Sequence, residues 1–118
     1  MEAFDILGDP VRRRILELLA SGERSAGDVV AVVGAEFGLT QPAVSRQLRV
    51  LRESGFAGVR AEGTRRLYAL NGEALEGVEG WLTELRRQWS QRLDALETEL
   101  ARGRRREPDE RSGRRQHA

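Results

Sequence analysis

Gln41, Ser45, Arg46, Arg49 and Arg52 could do chemistry of one kind together. They fall on the outward face of one short helical stretch, while Val44, Leu48 and Leu51 recur at i, i+4 and i+7 and turn inward. Amides, hydroxyls and guanidinium groups donate hydrogen bonds, and no carboxylate interrupts them before Glu53. Such a face suits a polyanion, since an ordinary solvated face, the competing reading, mixes both signs of charge. Catalytic chemistry has few groups to use. The chain has no cysteine, its one histidine is His117, it has no Gly-rich phosphate loop, and its acids are spread over helix surfaces. Thiol redox and thiolate metal sites are excluded, no cofactor is expected, and an enzyme is not the reading.

The helix presenting this face has local signals at both ends. Thr40 is a good N-cap, and Pro42 stands in the first turn, where a missing N–H costs nothing. Leu39 and Val44 have the spacing of a hydrophobic staple. Gly55 supplies the stop, so the helix is expected over about residues 40–54.

Charge is unevenly placed along the chain. The net charge of +1 over 118 residues conceals a segment, residues 40–70, with six arginines against two carboxylates. Residues 1–39 and 71–101 are each acidic in balance, and residues 102–118 are basic again. A localised positive block is an electrostatic footprint for nucleic acid. All 20 basic residues are arginine. The length suits one domain, residues 1–101, with 102–118 expected to be a disordered Arg-rich tail. No run approaches the roughly 18 apolar residues of a membrane span and no signal-peptide pattern opens the chain, so a cytoplasmic protein with no membrane contact is expected.

The elements around the basic helix follow from periodicity and punctuation. Phe4, Ile6 and Leu7 make a short first helix ending at Gly8. Asp9-Pro10 caps and opens a second, with Val11, Ile15, Leu18 and Leu19 on one face and Arg12, Arg13 and Arg14 free either to touch phosphates or to face solvent. Ser25-Ala26-Gly27-Asp28 has capping-box spacing and opens a third helix through about Glu36. Two helices joined by a tight turn at Gly38-Leu39, the second basic, form a helix-turn-helix. After Gly55 the period changes to 2, and residues 56–61 and 65–70 read as strands around Glu62-Gly63-Thr64. This hairpin is a wing whose Arg60, Arg65 and Arg66 are placed to reach a phosphate or the minor groove, or else keep an exposed ribbon soluble.

Asn71 can cap a last helix of about residues 72–101. Leu75, Val78, Leu82, Leu85, Trp89, Leu93, Leu96 and Leu100 recur along it at spacings of three and four. A domain this small cannot cover so long a stripe alone. The same helix of a second chain is the expected cover, giving a C2 homodimer with a coiled-coil-like seam; an aromatic pocket around Trp81 and Trp89 is the lesser alternative.

Taken in order, the chain resembles the ArsR/SmtB-type winged helix-turn-helix repressors from about Phe4 to Leu100. The likeness is carried by Leu7-Gly8-Asp9-Pro10-Val11-Arg12-Arg13-Arg14-Ile15-Leu16, by Gln41 to Leu51, and by Gly63-Thr64-Arg65-Arg66-Leu67-Tyr68. It implies a mainly α fold of about five helices plus a two-stranded wing, in a homodimeric bacterial repressor of double-stranded DNA. The first and last helices would form the dimer interface, through Phe4, Leu82, Leu85, Trp89, Leu93 and Leu96. By the same likeness Gln41, Ser45 and Arg46 would face base edges, Thr40 and Arg49 phosphates, and Arg65 the wing contact. Gln suits adenine and Arg guanine in the major groove, and a two-fold dimer suits a roughly palindromic operator with half-sites about 34 Å apart. One departure matters: the metal-sensing Cys-x-Cys and His motifs of such repressors are missing, so no metal site is expected, and any small-molecule inducer is unidentified. The alternative is a winged-helix module that binds a protein partner through the long last helix.

Overall fold

The computed structural model describes residues 2–106. The chain divides into two compact units at Gly80 and Trp81. In the first, α1 (Ala3–Leu7), α2 (Pro10–Ala20), β1 (Arg24–Ser25), α3 (Ala26–Phe37), α4 (Gln41–Glu53), β2 (Ala57–Glu62) and β3 (Arg65–Leu70) follow in order, and α5 (Glu73–Arg106) begins there.

The helix ends form as local chemistry dictates. The side chains of Asp9, Ser25 and Thr40 accept from the backbone N–H of Arg12, Asp28 and Ala43. Each satisfies one donor that the first turn of a helix leaves unpaired. The cap and the tertiary packing of Val29 and Val33, both fully buried, override the strand preference of the valine-rich α3. α4 closes in a Schellman motif: Gly55 N–H donates to Arg52 O at 3.1 Å and Phe56 N–H to Leu51 O at 2.9 Å. Gly55 holds φ at +86° to allow it, and Phe56 and Leu51 are both buried beneath the turn. Asn71 then ties this turn to the start of α5, donating from Nδ2 to Gly55 O and accepting at Oδ1 from Glu73 N–H.

Ile6, Ile15, Val29, Val33, Val44, Leu48 and Leu51 fill the centre of the first unit, each at most 1% exposed. Leu39 and Leu75 pack against that core from its edge.

The wing is larger than the expected two strands. β3 lies between β2 and a third strand, β1, in the order β1-β3-β2, all antiparallel. Arg24 pairs with Tyr68 and Ser25 with Leu67. Two residues are too few for any alternation to announce a strand; the pairing comes from β3 presenting its second edge. β2 and β3 turn at Gly63-Thr64, where Gly63 at φ +64° supplies the positive angle that tight hairpins favour.

The second unit is the remainder of α5. This helix is longer than expected, running to Arg106 over 34 residues, about 51 Å at 1.5 Å per residue. Arginine is a good helix former and its charge suits the negative C-terminal end, so residues 102–106 extend the helix despite Gly103. The rest of the expected tail lies outside the described residues. Leu82, Leu85 and Trp89 recur eleven residues later as Leu93, Leu96 and Leu100. An 11-residue repeat is about 3.67 residues per turn, close to the 3.6 of a straight α-helix, so the stripe stays on one side of α5 along its length. All six side chains are exposed, from 41% at Leu93 to 59% at Trp89.

Candidate nucleic-acid interface

Within residues 2–80 the arginines fall into two sets. Arg12 donates to Ile6 O, Asp5 O and Gln47 Oε1, and Arg13 to Leu7 O at 2.7 Å. The bonds to Asp5, Ile6 and Leu7 satisfy carbonyls that the short α1 leaves open at its C-terminal end. Arg14 forms a two-bond ion pair with Glu36, at 2.8 and 3.0 Å. Arg24 reaches Ser21 Oγ, and Arg60 pairs with Glu23 through two bonds and with Glu62 at 3.6 Å. The basic run 12–14 is thus occupied by the fold, and so is Arg60 of the wing.

The second set is Arg46, Arg49 and Arg52 of α4 with Arg65 and Arg66 of β3. None of these five has an ion pair or side-chain hydrogen bond among the described residues. Arg46, Arg49, Arg65 and Arg66 are exposed and Arg52 is half-buried. Unpaired guanidinium groups keep all their donors for an outside acceptor, and their charge is not cancelled locally. The carboxylates do the opposite. Hydrogen bonding by Arg60 holds Glu23 below the usual carboxylate range, and Arg14 does the same to Glu36.

Gln41 and Ser45 lie exposed on α4, one turn apart, with Arg46 beside Ser45 and Arg49 one turn further on. Thr40 is exposed too; its Oγ1 accepts from Ala43 N–H at 3.3 Å, which leaves the hydroxyl proton to donate elsewhere. Gln47 was not among the residues singled out from sequence. It is half-buried, and its Oε1 accepts from Arg12 Nη1 at 2.9 Å. Its partner is 35 positions away, so no local pattern reveals it.

The model of the family described as bacterial regulatory protein, arsR family, matches residues 9–58. The transcriptional repressor SdpR of Bacillus subtilis (strain 168) is 30% identical over 79 residues, 67% of this chain and 83% of SdpR. The chain belongs to the arsR family. The matched residues run from the cap of α2 through α4 to the first residues of β2, so they contain the helix-turn-helix of this arsR-family regulator. The crystal structure of an ArsR family transcriptional regulator, RHA00566, superimposes with a TM-score of 0.63 at 28% identity, over 74% of this chain and 86% of that one. The homodimeric winged helix-turn-helix DNA-binding domain Mb0332 of Mycobacterium bovis, solved in solution, does so with a TM-score of 0.54 at 27% identity, over 71% of this chain and 74% of that one. Winged helix-turn-helix architecture and transcription regulation follow for this chain; a module serving only protein partners is not favoured.

Among the described residues no group of three or more His, Asp or Glu stands close enough to hold a metal ion, and no helix is long and apolar enough to cross a membrane. Trp81 and Trp89 are 51% and 59% exposed.

Proposed function

We propose that this regulator is a homodimeric repressor acting in the cytoplasm on a roughly palindromic operator. α4 enters the major groove, where Gln41, Ser45 and Arg46 meet base edges while Thr40 and Arg49 hold phosphates. Arg65 and Arg66 carry the wing to a neighbouring phosphate or the minor groove. The observation that carries this reading is the division of the arginines: in residues 2–80 every arginine side chain outside α4 and β3 is bonded to backbone, a polar side chain or a carboxylate, and among the described residues none within α4 and β3 is. Phosphate contacts set register and affinity, and base edges set sequence preference.

The second copy meets the first through Phe4 of α1 and the stripe Leu82, Leu85, Trp89, Leu93 and Leu96 of α5. The length of that stripe and its exposure support this assembly, as does the homodimeric state of the Mycobacterium bovis domain. An inducer of unidentified chemistry would act by favouring a dimer geometry that no longer fits the operator.

The test is binding of the purified protein to the promoter DNA upstream of its own gene, with scrambled DNA of equal length as competitor. Tight binding that survives the competitor and weakens steeply with salt is expected. Equal affinity for both DNAs would remove the claim of sequence specificity.

A further inference from the structure

Gln47 sits on α4 between Arg46, which faces outward, and Leu48, which is 1% exposed. Its amide oxygen is held by Arg12 of α2 at 2.9 Å. A guanidinium has donors only, so Gln47 must turn its carbonyl side to it. The orientation of that guanidinium is not free. Its Nε and Nη2 donate to Ile6 O and Asp5 O, both at 3.0 Å, at the C-terminal end of α1. One planar group therefore joins α1, α2 and α4.

We propose that Arg12 and Gln47 are positioning residues for operator recognition, fixing the roll of α4 about its own axis. The proposal rests on the reading of α4 as the recognition helix. Val44, Leu48 and Leu51 bury α4 along one narrow stripe. Apolar packing tolerates small re-packing, whereas a charge-assisted hydrogen bond is directional. A roll of about 15° moves a side-chain tip about 5.5 Å from the helix axis by about 1.5 Å, more than the tolerance of a base-edge hydrogen bond. The strut also ties α4 to α1, so whatever holds α1, a second copy included, is felt at the reading face.

The experiment measures operator and scrambled-DNA affinity at several salt concentrations for the full chain and for Arg12→Met, Gln47→Met and the double variant, with thermal melts establishing that each is folded at the assay temperature. Each single change should weaken operator binding about tenfold, leave scrambled-DNA affinity and the salt slope unchanged, and combine with no further loss. Arg12→Lys keeps the charge but offers its donors from a single nitrogen, which cannot span the acceptors that Nε, Nη1 and Nη2 reach on α1 and α4, and should behave like Arg12→Met. A fall in salt slope with an equal loss on both DNAs would make Arg12 a phosphate contact and overturn the proposal. Additive losses, or a wild-type-like Arg12→Lys, would also overturn it. A wild-type chain that does not prefer the operator would bring down the recognition reading and this proposal together, and is distinguishable because there is then no specific affinity to lose.

Discussion

Arg60 and Glu23 close a two-bond ion pair, 2.8 and 2.9 Å, over the central strand of the sheet. Arg60 belongs to β2 and Glu23 precedes β1, with β3 between them. The wing is therefore fastened to the α2–β1 turn by charge as well as by backbone pairing. The bond lowers the pKa of Glu23 in the folded chain. A depressed carboxylate contributes its stability fully above the unfolded value, about 4.3, and loses it as pH falls through the folded value. The wing should loosen as pH falls below about 4.3, seen as shifts of the β2 amide resonances that set in there and not at higher pH. Glu23→Gln should already show the loosened shifts at neutral pH. Matching titrations of the two proteins would show that the pair does not hold the wing.

Arg46 and Arg49 should separate base reading from phosphate holding. Neither has a side-chain partner to lose among the described residues, so alanine at either position should change stability by no more than about 0.5 kcal/mol. Arg46→Ala should cost about 1–3 kcal/mol of operator binding and relax preference at one base pair. Arg49→Ala should weaken binding to all sequences and lower the salt slope by about one per contact. Operator affinity unaffected by Arg46→Ala would mean that α4 does not read bases there.

Placing charge in the α5 stripe should break the dimer without unfolding the chain. Leu93 is 41% exposed and Trp89 59% in the single chain, so glutamate at either position loses little internal packing. Leu93→Glu should sediment as a monomer and bind half-sites independently. A variant that remains dimeric would place the interface elsewhere.

Gly38 sets the turn that delivers α4. It holds φ at +67°, its N–H bonds Gly34 O, and an added Cβ would meet nothing within 4 Å. Gly38→Ala should therefore cost about 1 kcal/mol from backbone conformation alone, with no clash to add. Asparagine should recover part of the loss. Urea unfolding measures both, and an alanine variant as stable as wild type would mean that the turn relaxes.

What could be read from sequence was what local chemistry decides. Thr40, Pro42 and Gly55 bound α4 by groups within a turn of each helix end, and the structure returns those ends almost unchanged. β1 escaped because two residues carry no periodicity and become a strand only opposite Leu67 and Tyr68. The helical state of residues 102–106 escaped because an Arg-rich run with a glycine resembles a solvated tail, although arginine favours the C-terminal end of a helix. The site divides the same way. The outward face of α4 follows from spacing, but Arg60 looked equivalent to Arg65 and Arg66 until Glu23, 37 positions away, was found to hold it.

Gln41, Ser45 and Arg46 take no part in side-chain bonding among the described residues, while Arg12, Gln47, Thr40 and the Schellman turn hold the helix beneath them. Address and mount are thus written in different residues. After a gene duplication, one copy could drift to a new set of promoters by exchanging these three surface positions, with the folding of the domain left untouched at every intermediate.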